Sequence, residues 1–471
     1  MKGSSGSLPV FALTAMVVGS MVGAGIFSLP RSFGAATGVV GAILAWSITG
    51  LGMYALARVF QQLAEARPQL DAGVYSYARE GFGGYAGFLA GAGYWLVGCI
   101  ADVSYWVLIK STLGAVFPIF GDGNTIAAVA ISSIGLWLYH VLILQGVRQA
   151  ATLNTVVTVA KIVPILVFIA LVAFAFRPDV FLANLWGGGG EAGSAPGLLD
   201  QVRSTLLVTI FVFIGIEGAS VYSRYARRRS DVGRATVIGF LLVLALMVAV
   251  TLLPYAALSG ADLAGLRQPS MATALERIVG SWGGIFVSIG LIISVLGAYL
   301  AWSLIALEVL FALAKAGDMP RLLARENRKG VPAPALWLSN IVIQLVLIVT
   351  LFSDDAFTTL VKLTSTMVLV PYLLSAFFAV KVTVADGGLS PGRLFWPGLA
   401  SVFAALMIVA AGVQFLLLSA LLYAPATALY AWARREQGRG VFTRAEWIVF
   451  ALLILAALLG AYGLATGAIV I

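Results

Sequence analysis

One cysteine (Cys99) and one histidine (His140) stand in 471 residues, and only 10% of the chain is charged. A lone cysteine excludes an intramolecular disulfide, and so thin a supply of Cys and His excludes a Cys/His metal cluster. Hydrolytic or redox catalysis that needs a nucleophile–base pair or metal ligands loses most of its usual parts for the same reason. The shortage of charge excludes more. Soluble domains carry about 25% charged and about 45–50% apolar residues; here the apolar fraction is 61% and the mean hydropathy +1.01. A chain of this length cannot hide that much apolar surface from water, so lipid is the solvent for most of it. No polar stretch is long enough to fold alone. The longest, from about Arg177 to Asp200, contains Gly187 to Gly190 and reads as an outer loop, because no helix with Lys-Ser/Thr follows to cradle phosphate. Gly317–Pro334 reads as a basic inner loop. The first apolar run passes into Gly-Ala-Gly-Ile-Phe-Ser-Leu-Pro rather than a cleavage site, so the first helix is expected to be retained.

Apolar runs of about 17–25 residues predict about thirteen membrane spans. They lie near 9–33, 38–60, 83–111, 125–144, 152–176, 203–223, 234–257, 282–313, 333–352, 356–380, 395–412, 414–432 and 446–470. The run 394–433 is split around Gly412 and Gln414 because it is about twice one span. With the N-terminus inside, 21 of the 29 Lys and Arg residues fall in cytoplasmic segments. Arg58, Arg67, Arg79, Arg148, the cluster Arg224 to Arg234, Lys315 to Lys329 and Arg434 to Arg444 are among them. The outer loops hold Arg31, Lys110, Arg177, Arg203, Arg267 and Arg277. This is a positive-inside pattern, and an odd number of spans puts the C-terminus outside. The net charge of +9 is therefore topological and does not signal nucleic acid.

Two spans are interrupted alike. The first reads Gly19-Ser-Met-Val-Gly23-Ala24-Gly25-Ile26-Phe27-Ser28-Leu29-Pro30, and the sixth Phe211-Val-Phe213-Ile214-Gly215-Ile216-Glu217-Gly218-Ala219-Ser220. Each glycine costs about 1 kcal/mol of helix stability relative to alanine. Gly-interrupted spans five apart are the mark of a five-plus-five inverted repeat with discontinuous helices. Backbone freed from helical hydrogen bonding in lipid must line a cavity or a ligand. Close helix packing through Gly19-x-x-x-Gly23 is the competing explanation. N–H groups at the start of a half-helix suit an α-carboxylate. Unwound carbonyls suit an α-ammonium. A free amino acid presents both.

Asp102, Glu217, Glu308, Lys161 and Lys362 fall inside spans. Each costs about 2.5–3.5 kcal/mol at a helix centre, so each is a candidate for function, with a structural ion pair as the alternative. Lys161 is placed to occupy a sodium position against the unwound part of span one, or to carry a proton. Lys362 can snorkel outward. His140 is expected at the interface and Cys99 in packing. Tyr94, Trp95, Tyr105, Trp106, Phe211, Tyr299, Trp302 and Tyr372 lie within spans, where aromatic faces can stack on ammonium or guanidinium groups.

These segments, with Arg67-Pro-Gln-Leu-Asp71-Ala-Gly73-Val-Tyr75-Ser-Tyr77-Ala-Arg-Glu-Gly81-Phe-Gly83, resemble the amino acid–polyamine–organocation superfamily over about residues 10–435. Ser230-Asp-Val-Gly-Arg-Ala-Thr-Val-Ile-Gly239, Val370-Pro-Tyr372 and Leu417-Leu-Ser-Ala-Leu-Leu-Tyr-Ala-Pro425, with the thirteenth span, resemble its basic amino acid/polyamine antiporters, and most of all the bacterial arginine/ornithine exchangers. The resemblance implies an all-α membrane protein of the LeuT-like, five-plus-five fold with discontinuous helices one and six. The first repeat would span 1–176, the second 203–381, and accessory spans 394–471. It implies carboxylate binding at Gly23, Ala24 and Gly25, and ammonium binding by carbonyls near Phe211 and Ile214. Glu217 would be the pH-sensitive carboxylate of the proximal gate and Tyr94 a gate residue. Trp302 and Thr364 would line the site, Tyr372 would serve an outer gate, and Lys161 would take the sodium position.

Phe211 stands where arginine-handling relatives usually carry Trp, which weakens guanidinium stacking. Asp102 stands where an amide is common and favours a cationic side chain, and Glu308 joins Glu217 and Lys161 as a proton-coupling candidate. Lys362, two residues before Thr364, would oppose a cation if it faced inward. The expected activity is exchange of cationic amino acids (arginine, ornithine, with lysine as a further substrate) by alternating access, without metal or cofactor. The expected location is the bacterial cytoplasmic membrane, and homodimers occur in the family. Alternatives are a lysine/cadaverine-type or neutral amino acid exchanger, a proton-coupled permease of the same fold, and, remotely, a channel, although no repeated ring of carbonyls or charges is present.

Overall fold

The computed structural model describes residues 10–67, 69, 70, 73–187, 197–217, 229–387 and 391–470. Parts of the motifs above (Asp71, Gly188 to Gly190, Gly218 to Ser220) and the arginines 224, 227 and 228 lie outside the described residues. Every regular element among the described residues is helical. Lipid offers no partner to a backbone N–H or C=O, so a spanning segment satisfies its own by helix formation.

Helix α1 (Val10–Met21) and the short α2 (Leu29–Gly34) flank a 3-10 turn at Gly25–Ser28. Then come α3 (Val39–Ala66), the amphipathic α4 (Val74–Phe82), α5 (Gly84–Gly114), α6 (Ile126–Leu144) and α7 (Val147–Phe174). After α8 (Pro178–Ala183), α9 (Leu198–Phe211) runs into a turn over 212–217. Helices α10 (Arg229–Leu252), α11 (Gly260–Ala264) and α12 (Ser270–Val279) lead to the long α13 (Ser281–Ala316). Then α14 (Ala333–Val349), α15 (Ala356–Gly387), α16 (Pro391–Glu436) and α17 (Arg444–Ala465) complete the chain.

Among the described residues nine helices are long and apolar enough to cross a membrane, or ten if the bent pair α1–α2 counts as one. Three places separate this number from the thirteen expected. Only Lys161–Phe174 of α7 counts as an apolar helix, and α9 is 14 residues long. Helix α16 runs over 46 residues, about 69 Å at the helical rise, against a hydrocarbon core of about 30 Å. Its one non-helical residue is Gly412 (φ 79°, ψ 161°), where the sequence split the run.

Helix α5 is the centre of the molecule: its apolar core is buried along its whole length, against 17% for the peripheral α17. Small residues make that position tenable. A Cβ on Gly93 would stand 1.8 Å from the Tyr423 hydroxyl, and one on Gly98 would stand 2.9 Å from Ala306 Cβ. Helices α13, α15 and α4 pack directly on α5. His140, expected at the interface, is instead buried, with Nδ1 2.8 Å from Asn340 Nδ2 on α14 and its ring against Trp337. A polar partner on the facing helix makes that burial tenable.

One end of the bundle is closed by α4. Tyr75 donates to Asp318 Oδ2 at 2.7 Å, and Arg79 Nε pairs with the same oxygen at 3.0 Å. Burial pushes the Asp318 carboxyl above its ordinary range, and the Tyr75 hydroxyl and Arg79 pull it back. Gln437 at the end of α16 donates to the Gly317 carbonyl, and Arg321 N to Glu436 Oε2 at 2.9 Å. Helices α4, α13 and α16 are thereby tied at this end.

Candidate functional site

The two interrupted segments meet near the middle of the bundle. Helix α1 stops at Met21, the chain resumes as a 3-10 turn at Gly25, and α2 leaves at 43° to α1. Opposite, α9 stops at Phe211 and Gly215 takes φ +107°, a left-handed conformation that suits glycine. The breaks are bonded together: Ser20 Oγ donates to the Gly215 carbonyl at 3.0 Å. A Cβ on Gly215 would lie 2.8 Å from the Ser20 carbonyl oxygen, so both conformation and space demand glycine.

A small cavity opens at this crossing. Seven of the nominated residues line it together: Gly23, Ala24, Gly25, Phe211, Ile214, Trp302 and Thr364. Ser20, Met21, Ala101, Tyr105 and Val212 complete the lining. Of these, only Tyr105 carried a signal in sequence, as an aromatic residue within a span one helical turn from Ala101. The closeness of the walls follows from the missing side chains. A Cβ on Gly25 would stand 2.7 Å from both Phe211 Cδ1 and Val212 Cγ1, and one on Gly23 would stand 3.0 Å from the Tyr105 hydroxyl.

On the α4 side of the cavity, three side chains are bonded together. Glu217 accepts from the Tyr94 hydroxyl on Oε1 and from the Tyr372 hydroxyl on Oε2 at 2.6 Å, and Gly215 N donates to Oε1 at 3.2 Å. All three side chains are buried. Tyr94 lies about two turns before Ala101 on α5, and Tyr372 about two turns after Thr364 on α15. Both steps lead toward α4, against which Lys381 and Phe378 of α15 rest. Tyr372 therefore shares Glu217 with Tyr94, on the α4 side of the cavity. Tyr94 also touches the pocket wall through Trp302, with ring centroids 6.0 Å apart.

Lys161 is 1% exposed and donates to the Gly19 carbonyl and, at 3.0 Å, to that of Val22. These carbonyls lie at the end of α1, so the ammonium is held against the break. Asp102 is wholly buried beside the lining, with Oδ2 accepting from Ser303 Oγ at 2.7 Å. Two candidates lie elsewhere. Glu308 is exposed, because six positions beyond Trp302 carry it about 240° around α13. Lys362 points away from Thr364, its ammonium 5.9 Å from the Phe415 ring of α16, so it opposes no cation in the pocket.

Two helix breaks, a cavity between them, a lysine on the carbonyls at the end of α1 and a carboxylate bonded to two phenols come together here, and relatives of the chain are transporters. It is 47% identical to an arginine/ornithine antiporter of Pseudomonas aeruginosa, covering 98% of each chain. It is 41% identical to an L-lysine transport protein of Corynebacterium glutamicum, over 99% of this chain and 97% of that one. Identity to an arginine/agmatine antiporter of Chlamydia pneumoniae is 37%, over 99% and 98%. Residues 8–433 match the amino acid permease family, and with that match and these relatives the chain belongs to the amino acid permeases, a family of multi-span membrane transporters within the amino acid–polyamine–organocation superfamily.

Proposed function

We propose that the protein exchanges cationic amino acids across the bacterial cytoplasmic membrane by alternating access, with arginine and ornithine as its principal pair. The carrying observation is the cavity where both helix breaks meet, lined by Gly23, Ala24, Gly25, Phe211 and Ile214 and closed by the Tyr94–Glu217–Tyr372 barrier. The relative from Pseudomonas aeruginosa supports the substrate pair.

N–H groups of the turn after Gly23 bind the α-carboxylate, and carbonyls near Phe211 and Ile214 take the α-ammonium. Trp302 and Tyr105 hold the side chain, and Asp102 beside them favours a cationic end. The α4 end faces the cytoplasm, where most Lys and Arg residues fall, with the N-terminus inside and the C-terminus outside. Glu217, Tyr94 and Tyr372 are then the inner barrier, released when the substrate leaves inward. Lys161 takes the position of a sodium ion, so exchange needs none. Division of α16 at Gly412, with α7 and the broken α9, supports thirteen spans built as two inverted repeats, 1–176 and 203–381, followed by 394–471.

A lysine-type exchanger is the second reading, favoured by Phe211 and by the relative from Corynebacterium glutamicum. The test is counterflow in proteoliposomes. External ornithine should drive release of preloaded labelled arginine in sodium-free buffer, and the absence of exchange with any basic amino acid would sink the proposal. Competition by unlabelled arginine, lysine, cadaverine and neutral amino acids ranks the two readings.

A further inference from the structure

Asp102 is 0% exposed, and only one of its carboxyl oxygens is accounted for. Ser303 donates to Oδ2, while Oδ1 is buried with no hydrogen-bond partner. The titratable groups facing it are the phenols of Tyr105 on α5, Tyr139 on α6 and Tyr299 on α13, and the thiol of Cys99. Tyr372 of α15 and Tyr423 of α16 also pack around α5, but they donate elsewhere, to Glu217 and to the Met367 carbonyl. Among the described residues no basic side chain forms an ion pair with Asp102. A carboxylate left alone in the membrane interior is costly, and either a proton or a cation removes the cost. Its neighbours Ala101 and Tyr105, and Trp302 next to Ser303, line the cavity. Asp102 thus sits directly behind the cavity wall, next to residues that line it.

We infer that Asp102 is an exchange point at which a proton and the terminal cation of the bound amino acid replace one another. This rests on the cationic-substrate reading above and adds its charge coupling. When an arginine side chain arrives, the O–H bond of Asp102 breaks, the proton passes to water and the carboxylate pairs with the guanidinium. When the cation departs, a proton from water re-forms the O–H bond. The side-chain compartment holds the same net charge in both states. Exchange of one cationic amino acid for another moves no net proton. Exchange of a cationic for a neutral amino acid moves one proton opposite to the cation and is electroneutral.

Proton release on binding tests this directly in the purified full-length protein, using weak buffer, an indicator dye and calorimetry for binding. Wild type should release about one proton per arginine bound. Asp102→Asn should bind arginine at least about tenfold more weakly and release none, and Asp102→Glu should restore release. Arginine binding by wild type without proton release overturns the inference alone, as does undiminished release in Asp102→Asn. Absence of arginine binding by wild type overturns the cationic-substrate reading as well. If Asp102→Asn binds no arginine, Glu217→Gln decides: release that persists there supports Asp102, and release that vanishes there overturns it.

Discussion

At the scale of single residues, the site is defined as much by side chains that are missing as by those present. Gly25 stands so close to Phe211 and Val212 that a methyl group must displace one of them. Gly25→Ala should therefore cut arginine exchange by about tenfold or more through lost substrate positioning. Its overpacking should cost about 1–3 kcal/mol of stability, read as a lower melting temperature in detergent. Glu217 accepts from two phenols, so Tyr372→Phe leaves Oε2 without that donor, a loss of about 1–3 kcal/mol. That variant should bind arginine as wild type does but exchange it several-fold more slowly, as measured by counterflow beside calorimetry. The glycines and Glu217 were legible in sequence because lipid makes a helix break or a buried charge conspicuous. Ala101, Met21 and Val212 were not, because nothing in an alanine, methionine or valine within an apolar run distinguishes a pocket wall from packing.

At the scale of elements, the breaks in α1 and α9 behave as one unit, joined through Ser20 and Gly215. Gly215→Ala meets both a left-handed backbone and the Ser20 carbonyl, and strain of this kind costs about 1–3 kcal/mol. It should lower the melting temperature and exchange together, whereas Gly392→Ala, with open space around it, should change neither. The α4 lock makes a separate prediction. Arg79→Ala leaves Asp318 buried without its ion-pair partner, with Tyr75 still donating to it. Since Arg79 is 41% exposed, the full buried-pair penalty is discounted to about 1–2 kcal/mol. Adding Asp318→Asn should recover part of that loss in a thermal melt. The helices themselves were readable from hydropathy. The partners of α4 were not, because Asp318 lies more than two hundred residues away in sequence and only chain packing brings it near.

At the scale of the whole molecule, orientation is the property most open to test. Cys99 is the single cysteine and is buried, so a Cys99→Ser background accepts reporter cysteines cleanly. A cysteine at Arg439 should react with a membrane-impermeant maleimide only after the membrane is opened, and one at Thr466 should react in intact cells. The reverse pattern would invert the proposed topology and move the Glu217 barrier to the outer side.

What the amino-acid order determined by itself was the solvent, the helical class, the two breaks and the family resemblance. These depend on local quantities: the length of apolar runs, the cost of glycine within a helix and the scarcity of charge in lipid. Tertiary structure alone decided which candidates share a cavity. It set Tyr372 beside Tyr94 and Glu217, turned Glu308 and Lys362 away from the pocket, and left one oxygen of Asp102 without a partner. Each outcome depends on the rotation of one helix against another. A residue's sequence neighbours do not specify that rotation; it is set by close packing of side chains contributed from distant parts of the chain.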